Sequence, residues 1–370
     1  MGEIEAQRPG RRLRTLVFVA AAMAMVAGLS AAAPGALSAS SDCDPAGTAR
    51  PRTSPEVSGL WVMNADGSQE RRLTDGKGWG SAAWSPDGQW LASWNQPVNV
   101  PSTLEITAAD GSDHHSHDLT GIPSYEAADD ITWTADGTKV LFDAMRDDAN
   151  RQLFDRYEVS ADGTRRRRLL EGLDTADPAV SPDGTRIASM SLADGQIHVM
   201  NTDGSGRRRL TNTPTRNYTP SWSPDGSRIV FSGDPGGTTQ LTATRVEVIN
   251  EDGSGRRVNS AQDERFLANP VWSPDGRWVV FDNYPHEDWG WLTVARADGS
   301  DVHDLTGELG SPVVHEAAWS PDSTTIAYTE GTGIAVVRTD GTGRACLTSM
   351  GMAHGPVWSP DGTKIAFFRS

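Results

Sequence analysis

The sequence predicts an all-β fold, a seven-bladed β-propeller of four-stranded antiparallel blades. Two short phrases, each present seven times, carry this prediction. The first is Trp84-Ser85-Pro86-Asp87-Gly88, and it returns with small changes at Trp133, Val180, Trp222, Trp272, Trp319 and Trp358. Successive copies lie 39 to 50 residues apart, a spacing that brackets the ~40–45 residues of a four-stranded propeller blade.

Both phrases predict hairpin turns. In Ser-Pro-Asp-Gly, proline presets φ, aspartate can accept a bond from nearby backbone, and glycine adopts positive φ without steric cost. The second phrase is an Asp-Gly-Ser or Asp-Gly-Thr turn, first seen after Ala65, and it both precedes the first phrase and follows six of its copies. Apolar residues alternate beside the turns, as at Ile229 and Phe231, which is the period of a strand. One unit is therefore predicted to contain four strands, joined in order by a Ser-Pro-Asp-Gly turn, a loop and an Asp-Gly-Ser turn.

The order of the phrases predicts how the ring closes. Residues 57–370 begin with the third and fourth strands of a unit, at Leu60, and end with the first two strands of a unit, from Val357 onward. We expect these halves to form one closing blade shared by the N- and C-terminal strands. A ring closed in this way exposes only short strand edges.

Residues 1–40 are predicted to be a signal peptide, either cleaved or kept as an anchor. Arg8, Arg11, Arg12 and Arg14 precede an apolar run from Leu16 to about residue 33, and small residues follow it, the pattern of a secretory signal. Residues 41–56 are expected to be a flexible tail. The predicted location is therefore secreted or extracellular.

Charge narrows the classes of partner. The formal net charge is −16 at pH 7, which disfavours nucleic acid and anionic membranes, because both require a basic surface. An unknown protein, peptide or glycan is the expected partner of a monomeric propeller. The two cysteines, Cys43 and Cys346, form a possible disulfide between the tail and a blade edge, with two free or separately oxidised thiols as the alternative.

The phrases xPxWSPDGxxIAF and DGSxxRRLT resemble the repeat units of the TolB family and of the propellers attached to prolyl oligopeptidases. The resemblance covers nearly all of residues 57–370. It implies a WD-repeat-like propeller fold, which serves unrelated functions in different proteins. A further resemblance, to the seven-bladed oligogalacturonate lyases, implies a propeller that cleaves uronates with a histidine-bound metal. No ligand role is carried over to His286, His303, His315 or His354.

The candidate binding residues lie in the segments that do not repeat. In a propeller, the loops between blades and between second and third strands lie on one face, opposite the repeated turns. Variable loops carry binding function more often than the scaffold, and aromatic side chains beside carboxylates suit sugars, peptides or cations. The candidates on this face are Trp79, Trp94, Tyr125, Asp129, Asp130, Asp147, Tyr218, Tyr284, His286, Trp289, Trp291, His315 and His354.

Each candidate has a structural alternative, which is loop packing for the aromatic residues and solvation for the charged ones. No cofactor is expected, but a divalent cation held by neighbouring acids or by late histidines stays open. The repeated tryptophans and turn aspartates are assigned to blade packing and turns. The sequence favours a non-catalytic propeller that binds a peptide, glycan or protein partner, with a metal-assisted polysaccharide lyase or hydrolase as the alternative.

Overall fold

The computed structural model describes residues 58–75, 81–95, 103–119, 131–148, 151–234, 244–260, 265–286, 289–307, 314–348 and 352–369. Within these ranges the chain forms 28 strands and no helix, arranged as seven four-stranded antiparallel sheets. This architecture confirms the predicted fold class. The chain divides into two units, Met1–Ala39 and Ser40–Ser370. The first unit, which holds the predicted signal, lies outside the described residues.

Each sheet is one blade, numbered here in chain order. Blade 1 contains β3 (Ala82–Trp84), β4 (Trp90–Asn95), β5 (Thr103–Ala108) and β6 (His114–Asp118). Blade 2 contains β7 (Thr132–Trp133), β8 (Lys139–Asp148), β9 (Arg151–Ser160) and β10 (Arg166–Leu173). Blade 3 contains β11 (Thr175–Val180), β12 (Arg186–Ser191), β13 (Ile197–Asn201) and β14 (Arg208–Arg209).

Blade 4 contains β15 (Asn217–Trp222), β16 (Arg228–Gly233), β17 (Arg245–Asn250) and β18 (Arg257–Val258). Blade 5 contains β19 (Phe266–Trp272), β20 (Trp278–His286), β21 (Trp289–Arg296) and β22 (His303–Asp304). Blade 6 contains β23 (Val314–Trp319), β24 (Thr325–Glu330), β25 (Gly333–Arg338) and β26 (Ala345–Cys346). The closing blade contains β27 (Ala353–Trp358) and β28 (Lys364–Arg369) with β1 (Gly59–Asn64) and β2 (Arg71–Arg72).

The closing blade joins both ends of the described chain. Its strand order is β2-β1-β28-β27, and β1 pairs with β28 over six residues, from Gly59 opposite Arg369 to Asn64 opposite Lys364. The predicted closure is therefore confirmed. Because the first and last strands are hydrogen-bonded neighbours, neither can leave without exposing the other.

The turn aspartates act as predicted. In the first turn, Asp87 accepts hydrogen bonds at Oδ1 from the Ser85 hydroxyl (2.6 Å) and the Gln89 amide (3.0 Å). A serine or threonine hydroxyl two residues away is the main reason why the pKa of thirteen such aspartates is lowered. They are Asp66, Asp87, Asp110, Asp136, Asp162, Asp183, Asp203, Asp225, Asp252, Asp298, Asp322, Asp340 and Asp361.

The repeated tryptophans link one blade to the next. The Trp133 indole nitrogen donates to the Ala83 carbonyl (3.0 Å), which precedes the tryptophan of blade 1. The same bond recurs from Trp222, Trp319 and Trp358. Trp84 closes the circle, because its indole donates to the Val357 carbonyl of the closing blade (3.1 Å). Apolar clusters fill the spaces between blades, for example between blades 5 and 6.

Candidate functional site

In five blades, a β-bulge in the innermost strand redirects the side chain at the same position of the repeat. The pairing of first and second strands shifts register there, and the residue three before the repeated Trp or Val has positive φ. These residues, with φ between 46° and 63°, are Asp177, Thr219, Asn269, Glu316 and Gly355. Positive φ is uncommon for threonine and glutamate, and β-bulges often redirect a side chain beside a functional site. The repeat therefore presents one variable position per blade near the propeller axis.

In blade 5 the bulge residue, Asn269, lies beside a buried carboxyl group on the neighbouring strand. Asp282 is 1 % exposed, and its Oδ2 accepts bonds from the Asn269 amide (2.9 Å) and the Tyr284 hydroxyl (3.3 Å). Burial raises the pKa of Asp282 to about 6. Burial and the adjacent Asp282 also raise the pKa of Tyr284. Asp282 can therefore gain or lose a proton near neutral pH.

In blade 6 the bulge places an ionised carboxylate beside a histidine. Glu316 Oε2 accepts bonds from the Thr329 hydroxyl (2.7 Å) and the Gly355 amide of the closing blade (2.7 Å), and it lies 3.3 Å from His315 Nδ1. Burial opposes ionisation of both side chains, but their mutual attraction outweighs it. The pKa of Glu316 is thus lowered to about 2 and that of His315 is raised.

The Glu316 side chain keeps 44 % of its area accessible, although protein groups surround it closely enough to affect its ionisation. Within the described part of the chain, its hydrogen bonds from Thr329 and Gly355 both use Oε2, so Oε1 can accept a bond from a ligand.

The closing blade adds a second histidine. His354 stacks on Phe368, with ring centroids 5.8 Å apart. Burial lowers the pKa of His354, and the neighbouring His315 adds to that effect. We call Asp282, Tyr284, His315, Glu316 and His354 the loop-face cluster. It combines donors and acceptors from three consecutive blades at the ends of strands that face the variable loops.

The structure brings together three predicted site residues, Tyr284, His315 and His354. Tyr218 lies in blade 4, half-buried against the cluster between blades 3 and 4, and burial raises its pKa to about 12. Trp291 is partly exposed, with the Arg265 guanidinium 5.3 Å from its ring centroid. Trp94 is 1 % exposed and packs 5.5 Å from Phe142, so it offers no surface to a ligand.

Other candidates fall outside the description. Four of these candidates lie outside the described residues, namely Trp79, Tyr125, Asp129 and Asp130. Three more lie on strands whose backbone is described but whose side chains at these positions are not, namely Asp147, His286 and Trp289. Cys346 is disulfide-bonded, but Cys43 lies outside the described residues. Their pairing therefore stays a prediction.

Sequence reasoning missed Asp177, Asn269, Asp282 and Thr329 as site residues. All four lie at one of two fixed distances along the chain from the repeated Trp or Val of their blade. Asp177 and Asn269 occupy the bulge, three residues before it, and Asp282 and Thr329 lie ten residues after it. The position ten residues after the repeated residue is variable, since it holds Trp94, Met190 or Phe368 in three other blades and Asp143 or Ser232 in two.

In the described parts of the chain, no three His, Cys, Asp or Glu side chains are placed to hold a metal ion together. In the same ranges, no helix has the length and apolar character needed to cross a membrane.

Comparison with curated proteins gives partial matches. The model of the TolB beta propeller domain matches residues 170–306. The chain is 38% identical over 74 residues to dipeptidyl-peptidase 5 of Porphyromonas gingivalis, which covers 18% of this chain and 11% of that protein. It is 30% identical over 150 residues to an uncharacterized protein of Agrobacterium fabrum, covering 40% and 48% of the two chains. The matches therefore span less than half of each relative.

Solved structures share the fold at low identity. A TolB from Agrobacterium tumefaciens superposes with a TM-score of 0.50 and 20% identity, covering 85% of this chain and 99% of that one. Oligogalacturonate lyase from Vibrio parahaemolyticus gives 0.58 and 12%, covering 84% and 97%. An oligogalacturonate lyase in complex with manganese gives 0.59 and 12%, covering 78% and 88%. From its repeats, its seven blades and the matched domain, the chain is a TolB-like β-propeller.

Proposed function

We propose that this propeller is a secreted, non-catalytic binding protein whose loop-rich face holds a peptide, glycan or protein partner. The loop-face cluster carries the proposal. It offers a carboxylate oxygen at Glu316, a phenol at Tyr284 and two imidazoles from three consecutive blades. A few convergent polar groups beside aromatic rings are typical of binding sites. Secretion rests on the N-terminal sequence alone.

The charge of the cluster favours ligands with hydrogen-bond donors. The low pKa of Glu316, about 2, keeps it ionised throughout the physiological range. Its Oε2 is held by the Thr329 hydroxyl and the Gly355 amide, so the carboxylate is already oriented before a ligand arrives. Such pre-organisation reduces the entropic cost of binding.

A binding screen with matched variants tests this proposal. The purified protein would be applied to peptide and glycan arrays beside Glu316→Gln, which removes the oriented charge, and Asp203→Asn, which removes an exposed turn carboxylate on the opposite face. We expect wild type and Asp203→Asn to bind the same ligands and Glu316→Gln to bind them at least tenfold more weakly. Ligands retained equally by all three proteins would contradict a loop-face site.

A second candidate function is a polysaccharide lyase or hydrolase. The observation that favours it is the meeting of His315, His354 and Asp282, whose pKa of about 6 suits proton transfer near neutral pH. The test is ultraviolet detection of unsaturated uronate products from uronate oligosaccharides, with and without manganese. Product formation that is lost in Asp282→Asn would favour the enzyme over the binding protein.

A further inference from the structure

A second site lies on the opposite face, in the groove between blade 6 and the closing blade. Its cavity of about 440 Å³ is lined in part by Thr325, Trp358, Asp322, Asp361 and Arg338. The cavity lies among the Ser-Pro-Asp-Gly turns, away from the loop-face cluster. The equivalent grooves of the repeat show why this one is open.

In two other grooves, an arginine side chain lies over the tryptophan of the next blade. This covering residue follows the repeated Trp or Val by six positions. Arg186 places its guanidinium carbon 5.2 Å from the Trp222 ring centroid, and Arg228 lies 4.7 Å from that of Trp272.

Tryptophan takes the same position in two further blades. Trp90 packs against the cluster that contains Trp133, and Trp278 packs against the one that contains Trp319. Large side chains thus cover two of the repeated indoles and pack against the clusters that hold two more.

Blade 6 has Thr325 at this position. A threonine is too short to reach across the groove, and the consequence is visible in the next tryptophan. Trp84, Trp133, Trp222, Trp272 and Trp319 are all 5–9% exposed, whereas Trp358 is only partly buried. Its indole nitrogen donates to the Ala318 carbonyl (3.1 Å), which fixes the ring, and Trp358 lines the cavity.

The charges around the open indole favour a cation. Asp322 uses Oδ1 to accept bonds from the Ser320 hydroxyl (2.6 Å) and the Thr324 amide (3.1 Å), so its Oδ2 can accept a bond from a ligand. Asp361 supplies a second carboxylate at the cavity wall, and Arg338 supplies one opposing charge. The face of a tryptophan ring attracts cations, most often the planar guanidinium.

We propose that this groove binds the arginine side chain of a partner protein, whose guanidinium takes the place that Arg186 and Arg228 occupy in the equivalent grooves. The stacking partner is Trp358, and Asp322 and Asp361 supply the hydrogen-bond acceptors. The proposal does not depend on the loop-face cluster, which lies on the other face of the propeller.

The probe is Nα-acetyl-arginine amide, followed by fluorine NMR of protein labelled with 5-fluorotryptophan. The Trp358 resonance is identified as the one missing in Trp358→Phe. We expect it to shift saturably, with a dissociation constant on the order of 1–10 mM, as suits one stacked cation with few further contacts. The neutral citrulline analogue, which has nearly the same shape, should bind at least tenfold more weakly.

Variants test whether the space left by the short Thr325 side chain is the arginine-binding site. Thr325→Arg should fill the groove and abolish the shift, whereas Thr325→Ser should keep it. Arg228→Thr should open the equivalent groove, so that Trp272 also responds to arginine. Melting curves of each variant show that it is folded.

Three results would overturn the proposal. The first is the absence of a saturable shift of the Trp358 resonance. The second is a shift that persists in Thr325→Arg. The third is binding of glucose or the citrulline analogue that is as tight as binding of the arginine probe. The last would show that the indole face binds planar or apolar surfaces without regard to charge.

Discussion

Removal of the C-terminal strand should abolish cooperative folding of the entire propeller. Deletion of residues 357–370 removes β28, whose Ile365 and Phe367 are fully buried and whose Phe368 is 2% exposed. At about 1.5–3 kcal/mol for each fully buried side chain, the loss is about 5–9 kcal/mol. The total stability of a domain is about 5–15 kcal/mol. The deletion also leaves β1 without the strand that pairs with all six of its residues.

The assay is urea denaturation followed by circular dichroism, with two point variants as controls. Phe367 and Phe231 occupy the same repeat position in the closing blade and blade 4, and both are fully buried. Phe367→Ala and Phe231→Ala should each cost about 3–5 kcal/mol but retain a single transition if enough stability remains. A truncated chain that unfolds as sharply as the full chain, with the same midpoint, would refute the closure argument.

Two further predictions concern buried polar groups. Because burial raises the pKa of Asp282 to about 6, the folded protein retains a proton between about pH 4 and 6 that the unfolded chain releases, so stability falls as pH rises through this window. Asp282→Asn should therefore stabilise the fold by up to about 3 kcal/mol at pH 7 and by much less at pH 4; equal gains in urea midpoint at both pH values would contradict this. Trp222→Phe loses an indole bond to the Ala179 carbonyl (3.0 Å), whereas the Trp272 indole nitrogen has no hydrogen-bond partner in the described part of the chain. Trp222→Phe should thus cost about 1 kcal/mol more than Trp272→Phe, and thermal melts that rank them the other way would disprove the assignment.

The blade number, the turns and the closure could be predicted because each depends on local chemistry that the sequence repeats. A Ser-Pro-Asp-Gly turn has the same conformation wherever it occurs, since proline, aspartate and glycine each restrict or permit particular φ values. The order of strand pairs at the two ends then required a shared blade. The site was harder to predict, because its members come from different blades and no spacing along the chain records their meeting.

Trp94 and Asp282 occupy the same repeat position but have surroundings that the sequence could not predict. Both follow their repeated tryptophan by ten residues, yet Trp94 packs in the apolar space between blades 1 and 2 and Asp282 accepts bonds from Asn269 and Tyr284. Only the tertiary structure decided that Tyr284, His315 and His354 would meet, because ring closure and the bulges of the innermost strands bring together side chains that lie tens of residues apart.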